Sequence, residues 1–330
     1  MSRMDISVVI LSWNDKPYLE KCLQSLADAP PRRSLEIIVV DNASTDGSPE
    51  MVAARFPGVK VIRNPVNLGF PGGNNAGFLA SRGRCVCLLN SDIHVFPGCL
   101  DGLADYLDRN PRVGMVGPKI LNRDLTHQSS CRQFPSLWNN FCAATGLTSV
   151  FSGGRFFSGE HMFYFRGDRV REVDVLVGCF WAVRREAVRE VGLLDEGFFM
   201  FAEDLDWCRR FWEAGWRVAF DPEAQAIHYR GGSSAKKDEV WLALTQQRSV
   251  LHYWKKHHGL AANLAIRCLI TLHRIIRWAA AGPLSLLAAT ARGDRRGRGR
   301  VARACLRDLF ASGPENSVGL RNRTQAVPPL

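Results

Sequence analysis

Apolar and polar residues come in alternating blocks along the first ninety positions. Residues 6–11, 35–40, 59–63 and 84–89 are short β-branched or aliphatic runs, fit for strands buried on both faces. Between them the spacing predicts helices. Leu19, Cys22, Leu23 and Leu26 recur at helical intervals over 17–27, with Pro17 where a first turn tolerates it. Residues 48–56 and 72–81 are the next two helices. This rhythm predicts an α/β fold, a mostly parallel open twisted sheet flanked by helices. Polar turns follow the strands at Ser12-Trp13-Asn14-Asp15, Asp41-Asn42-Ala43-Ser44 and Asn90-Ser91-Asp92. They lie at the carboxyl edge, where open α/β sheets bind ligands.

After Pro118 the rhythm breaks, and 122–172 reads as an irregular insert rich in Gly and aromatics, among them Phe134, Trp138, Phe141, Phe151, Phe156 and Phe157. Order resumes with a strand at 173–183 and a helix at 185–191. Leu205, Cys208 and Trp212 mark one face of a helix ending at Gly215, followed by short strands at 216–220 and 226–229. The chain thus divides into an α/β domain, 1–245, a helical basic extension, 246–311, and an unstructured end, 312–330. Within the extension Asn263, Arg267, Thr271, Arg274 and Arg277 form a narrow cationic stripe on an otherwise apolar helix over 261–281. That pattern suits a helix lying in a membrane surface, and equally one packed on the domain with a solvated face. The Arg-rich run 292–300 is expected to be disordered in solution and to suit phospholipid headgroups.

Charge sharpens this division. The net charge is +11, but from Arg248 onward 15 Lys/Arg face 3 Asp/Glu, whereas the first 247 residues hold 28 against 29. A neutral body carries a basic tail, which attracts nucleic acid or an anionic membrane. No uninterrupted apolar run reaches the roughly 18 residues of a spanning helix, so the expectation is a cytoplasmic protein, peripheral on the inner face of the plasma membrane. Ten Cys without a C-x-x-C pair read as reduced, mostly buried thiols.

Several segments could carry chemistry. Asp41, just after a buried strand, can accept hydrogen bonds from a ribose or base edge; with Asp46 it can instead form Asx turns and cap the next helix. Asp92 can hold one face of Mg2+ or Mn2+, with His228 as a nitrogen ligand better suited to Mn2+; alone, each reads as a loop cap or a core histidine. Glu203, Asp204 and Asp206 open a helix, where the macrodipole favours acidic residues, and their ionised form, with or without a catalytic role. The Gly-rich turn from Asn67 through Gly69 to Asn74 and Asn75 can bring backbone N–H groups toward a diphosphate, although it matches neither the Walker nor the Rossmann spacing.

Taken in order, these segments resemble glycosyltransferase family 2, and within it the bacterial rhamnosyltransferase-like branch. The resemblance rests on Ser7-Val-Val-Ile-Leu-Ser12-Trp-Asn14, Val39-Val-Asp41-Asn-Ala-Ser-Thr-Asp-Gly-Ser48, Asn67-Leu-Gly69-Phe with Asn74-Asn75-Ala-Gly, Leu88-Leu-Asn90-Ser91-Asp92, Gly178-Cys-Phe, Phe201-Ala-Glu203-Asp204-Leu-Asp206-Trp-Cys-Arg209-Arg, and Ile227-His228. It covers 6–234. It implies a GT-A fold and inverting transfer of one sugar from a nucleotide-diphosphate donor, first of all dTDP-rhamnose, with UDP-hexoses or UDP-N-acetylhexosamines next. The implied acceptor is a lipid-linked saccharide in cell-envelope polysaccharide synthesis. Asp204 then takes the role of base with Glu203 beside it, and Asp92 and His228 that of metal ligands. Ser12, Asn14, Asp41, Asn67, Gly69, Asn74, Asn75, Asn90 and Ser91 take the donor side. Asn90 stands where the wider superfamily has the first Asp of Asp-x-Asp, leaving one obvious carboxylate for the metal. No Gln-x-x-Arg-Trp follows the acidic pair, so the resemblance to processive synthases is poor. Two readings of other classes compete, a nucleic-acid-binding protein using the tail and a non-catalytic membrane scaffold. The first leaves the acidic segments without a purpose, so no nucleic-acid partner is expected.

Overall fold

The computed structural model describes residues 4–151, 154–162, 164–230, 238–284 and 292–310. Its first half follows the sequence pattern closely. Strands β1 (Ile6–Ser12), β2 (Leu35–Asp41), β3 (Lys60–Arg63) and β4 (Cys85–Asn90) are linked by helices α1 (Lys16–Asp28), α2 (Ser48–Arg55) and α3 (Gly69–Ala80) and lie parallel in the order β3-β2-β1-β4. Then come β5 (Ile93–Val95), α4 (Cys99–Arg109) and β6 (Val113–Leu121), in a stretch to which the pattern above assigns no element. The insert is partly ordered rather than irregular throughout: it holds β7 (Cys131–Arg132), α5 (Leu137–Thr145), α6 (Leu147–Val150) and β8 (Arg171–Glu172).

The single strand expected over 173–183 is two, β9 (Val175–Leu176) and β10 (Phe180–Arg184), because the chain turns at Val177–Cys179, where the Cys179 amide donates to the Val177 carbonyl. After α7 (Arg185–Val191) and α8 (Glu203–Glu213), the two short strands expected at 216–229 are one irregular strand, β11 (Arg217–His228). The sheet order is β3-β2-β1-β4-β10-β6-β11-β5, with β8 also on β11; β10 runs antiparallel to both its neighbours. Alternate side chains of β1 feed two cores. Val8 and Ile10 meet Leu23 of α1 and Leu103 of α4, while Val9 joins Phe78, Trp181 and Trp207 on the other face. On that second face α3 lies so close to β1 that a Cβ on Gly77 would stand 2.2 Å from Val9 Cγ1. A methyl there forces the layers apart.

The extension is continuous with the body. Helix α9 (Glu239–Leu284) starts before residue 246 and breaks at Gly259, where φ is 78°. Asn263 Nδ2 donates to the Leu251 carbonyl at 2.6 Å and Arg274 Nη2 to Gln247 Oε1 at 2.9 Å, so the second arm folds back antiparallel on the first. Helix α10 (Arg292–Phe310) packs on both arms through an Arg248–Asp308 ion pair at 2.5 Å and a bond from Arg267 to the Leu309 carbonyl. The run 292–300 is therefore helical, not disordered; 312–330 lie outside the described residues. Asp206, fully buried, meets Lys256 Nζ and His257 Nε2 at 2.7 Å each and Arg210 Nε at 2.9 Å, tying α9 to α8. Tyr253 and Trp254 share a core with Trp181 and Trp207.

Candidate active site

The carboxyl ends of β1, β2 and β4 form one rim. Ser12 pairs in register with Asp41, and Leu11 with Asn90. The turns after β1 and β2 are laced together: Thr45 N donates to Asn14 Oδ1 at 2.7 Å, and Asn14 N to Ser44 Oγ at 2.9 Å. Asp46 accepts from Lys16 N and from Ser48 N and Oγ, so its carboxylate is spent on the starts of two helices. Asp41 serves both readings of it. Its Oδ2 accepts the Ser44 N–H at 3.2 Å, an Asx-type turn, while its buried Oδ1 has no hydrogen-bond partner. Ser12 Oγ, on the adjoining strand, is buried and unpartnered too. Orphaned polar atoms in this position are costly unless something else meets them, and a ligand hydroxyl or N–H does so.

Across the rim Ser91 Oγ donates to Asp15 Oδ2 at 2.8 Å, joining the β4 turn to the β1 turn. The next residue, Asp92, places Oδ1 3.2 Å from His228 Nε2 at the end of β11. The orientation of this histidine is set by Gln128, a residue the sequence reading passes over. Gln128 donates from Nε2 to Asn122 Oδ1 at 2.8 Å and to the His228 carbonyl at 3.3 Å, so Oε1 faces His228 Nδ1 at 2.7 Å. An acceptor there puts the ring hydrogen on Nδ1. Nε2 then turns a lone pair toward the Asp92 oxygen, and two acceptors that close need a proton or a cation between them. One carboxylate oxygen and one imidazole nitrogen fit Mn2+ in particular. Among the described residues no third His, Cys, Asp or Glu completes a cluster, so water and substrate phosphates would supply the remaining positions. Replacing Gln128 by Leu is expected to weaken Mn2+ binding about 10- to 100-fold, as loss of an outer partner does. Calorimetric titration with the metal alone checks this, and unchanged affinity would rule out the orienting role.

Helix α8 brings the third group. Phe201 and Ala202, directly before it, both hold positive φ, 72° and 61°. Asn14, Ala43 and Arg230 do the same at the other turns, so five of the seven such non-glycine residues among those described cluster around this rim. Strain of that kind persists where the surroundings fix a geometry tightly. Glu203 and Asp204 follow at the first turn, both buried. Burial, and next the charge of Asp204, push the Glu203 carboxyl up to about 8. The expectation that both first-turn acids are ionised is thus corrected for Glu203, where desolvation outweighs the helix field. Its Oε2 lacks a hydrogen-bond partner. Asp204 Oδ1 accepts the Leu205 N–H at 2.9 Å. Cys179, in the turn before β10, links the groups: burial first, then the charges of Asp92 and Asp204, push its thiol up to about 12. Both carboxylates therefore act on one point beside the β4 rim, where Asn90 N donates to the Cys179 carbonyl.

Because Glu203 is protonated more readily in the folded chain, it contributes stability below its unfolded value of 4.5, and that contribution is lost as pH rises through about 8. Glu203→Gln should match the native protein near pH 5 and exceed it in unfolding free energy at pH 8 to 9, by an amount on the order of a few kcal/mol, with a correspondingly higher Tm. Parallel Tm curves for the two proteins across this range would contradict the assignment.

The Gly-rich segment is placed differently from its reading as a diphosphate cradle. Gly69, φ 75°, lets the chain pass the 194–201 loop, where a Cβ would stand 2.4 Å from the Phe199 carbonyl oxygen. Asn67 Oδ1 accepts the Gly69 N–H and an Asn42 N–H, and Asn74 Nδ2 donates to the Phe70 carbonyl within α3. Asn75 is fully engaged: it donates to the Leu194 carbonyl and Glu196 Oε1 and accepts from Leu194 N. It holds the loop that leads into α8 rather than reaching a donor. All ten cysteines are free, and every one but Cys268 is buried.

A helix-flanked α/β sheet whose carboxyl rim gathers orphaned polar atoms, an Asp–His pair and a helix-borne acidic pair has the architecture of a GT-A glycosyltransferase. The family model "Glycosyl transferase family 2" matches residues 7–192, and the chain belongs to that family. It is 30% identical over 298 residues, 82% of this chain and 94% of the relative, to the N-acetylglucosaminyl-diphospho-decaprenol L-rhamnosyltransferase of Mycobacterium tuberculosis (strain CDC 1551 / Oshkosh). Among solved structures, mannosyltransferase PcManGT from Pyrobaculum calidifontis in complex with GDP-Man and Mn2+ aligns with a TM-score of 0.58 at 17% identity, covering 94% of this chain and 88% of that one. GalNAc-T7 with UDP, GalNAc and Mn2+ aligns with a TM-score of 0.56 at 16% identity, covering 77% and 48%. The latter two show the shared fold.

Proposed function

We propose that this glycosyltransferase moves one sugar, with inversion, from a nucleotide-diphosphate donor to a lipid-linked saccharide in cell-envelope synthesis, and that dTDP-rhamnose is its donor. The observation that carries the donor site is the pair of buried, unpartnered atoms Ser12 Oγ and Asp41 Oδ1, side by side on the rim that also bears Asp92 and His228. Asp41 accepts a hydrogen bond from the base or ribose. The rhamnosyl donor and the lipid-diphosphate acceptor are supported by the named activity of the mycobacterial relative, which matches nearly end to end.

In the reaction the acceptor hydroxyl oxygen attacks the anomeric carbon as its bond to the diphosphate oxygen breaks. Asp204 takes the hydroxyl proton, a contribution of roughly 10²–10⁴-fold. Neutral Glu203 beside it adds no second negative charge near the attacking oxygen. One displacement inverts the centre. A divalent ion held by Asp92 and His228 would stabilise the negative charge developing on the diphosphate. A panel of dTDP-, UDP- and GDP-sugars, screened by thermal shift with Mn2+ or Mg2+, tests the donor. At about 100 times its Kd a ligand stabilises by about 2.7 kcal/mol, and dTDP-rhamnose is expected to give the largest shift. A larger shift from another sugar overturns the rhamnose assignment, and no shift from any overturns the donor site.

A further inference from the structure

As far as Arg274 the cationic stripe of the extension points the opposite way from a helix that turns its charges to water. Asn263 is buried, Arg267 bonds to the Leu309 carbonyl of α10, and Arg274 to Gln247 of the first arm. Long basic side chains can line a packed interface in this way when their heads find carbonyls. The outward face is apolar. From residue 259 to 276 every exposed position of α9 is Gly, Ala, Leu, Cys or Ile, with Leu260 68%, Leu264 54% and Ile275 52% exposed. A helix face meeting water over this length normally carries charges.

The insert carries a second exposed patch. Helix α5 packs against α9, and the insert it belongs to presents Trp138, Phe141, Phe151 and Phe156, the last 65% exposed. These rings gather on one another rather than on the core: Trp138 lies 5.0 Å from Phe156 and 5.7 Å from Phe141 by centroid. Large amphipathic rings, Trp above all, are favoured at a membrane–water interface. On α10, which packs on α9, Arg300, Arg303 and Arg307 are exposed at helical spacing and form a cationic stripe.

By length and composition the segment Glu239–Ile276 could cross a membrane, a property that the search for uninterrupted apolar runs overlooks. The turn-back at Gly259 and the inward bonding of the polar stripe make it a hairpin with one apolar side instead. We propose that this surface seats the enzyme in the interfacial layer of an anionic phospholipid bilayer, in plane and without crossing. Leu260, Leu264, Leu272 and Ile275 dip among the acyl chains, the aromatic patch sits at headgroup level, and the α10 arginines bind headgroup phosphates. The inference extends the lipid-linked acceptor reading, since a seated enzyme meets such an acceptor in two dimensions, but it stands on separate observations.

Sedimentation of the full chain with vesicles of phosphatidylethanolamine and phosphatidylglycerol tests it. The triple variant L264E/L272E/I275E, all at exposed positions, should bind at least about tenfold more weakly with its Tm unchanged. R300E/R303E/R307E should lose the salt-sensitive part of binding, and brominated lipids should quench the protein's tryptophan fluorescence. Native binding by the first variant overturns the proposal. So does a dimer in light scattering that this variant dissolves, because a second copy then covers the face, or binding by a chain ending at residue 310 with the face newly accessible and absent from the full chain. Transfer to a short-chain, detergent-free lipid diphosphate saccharide is measured in parallel. Loss of vesicle binding with transfer retained supports the seat and the acceptor together. Binding to vesicles without any transfer leaves the seat standing and removes the acceptor reading.

Discussion

Replacing Asp204 by Asn lowers kcat by two to four orders of magnitude while donor affinity stays near its native value. The asymmetry follows from position. Asp204 sits on the first turn of α8, the Asp41 and Ser12 atoms proposed to meet the donor belong to β1 and β2, and the amide is nearly isosteric with the carboxylate. In the proposed mechanism what is lost is the group that receives the acceptor proton, an interaction made only in the transition state, so the effect is expected in kcat and not in binding. Steady-state rates with donor affinity measured separately decide it. Retention of more than about a tenth of the turnover would place the base elsewhere.

Asp92→Ala has the second-largest effect and a different signature. Donor affinity and turnover are both expected to fall, each by at least about tenfold, because the ion proposed on Asp92 and His228 would serve the diphosphate in the ground state as well as in the transition state. Chelation of the native enzyme with EDTA should produce the same double loss, reversed by Mn2+. Full activity in EDTA would remove the metal from the account, leaving the Asp92–His228 contact as a proton-bridged pair.

Much of the half built on β1 to β4 was legible in the sequence because its signals are local. Buried parallel strands require continuous β-branched runs, and β1 to β4 end within a residue of the runs that announce them. The turns that follow carry Asn14, Asp41 and Asp92 to the rim by topology alone. The acid pair at 203–204 was legible as a helix start, but the protonation of Glu203 was not, since burial on the folded helix decides it. Gln128 gives no signal in one sequence: it lies 100 residues from His228, in an insert without periodicity.

The extension misled for a physical reason. A stripe at 263, 267, 271 and 274 has the same period whether its residues face water or backbone carbonyls, and only the partners Leu251, Gln247 and Leu309 distinguish the two. Likewise the Gly-rich segment from Asn67 to Asn75 reads as a turn that brings N–H groups toward a diphosphate, while the folded chain uses Gly73 within it to bring α3 onto Leu11 of β1.

One measurement tests the central claim most directly, a crystal structure of the enzyme with Mn2+ and a non-hydrolysable dTDP-rhamnose analogue. The account predicts the nucleoside against Ser12 Oγ and Asp41 Oδ1, the ion on Asp92 and His228, and the anomeric carbon turned toward the side of the cleft that holds Asp204. A nucleotide bound at another face of the sheet, or in this cleft with none of these carboxylates in contact with donor, ion or acceptor space, would contradict it.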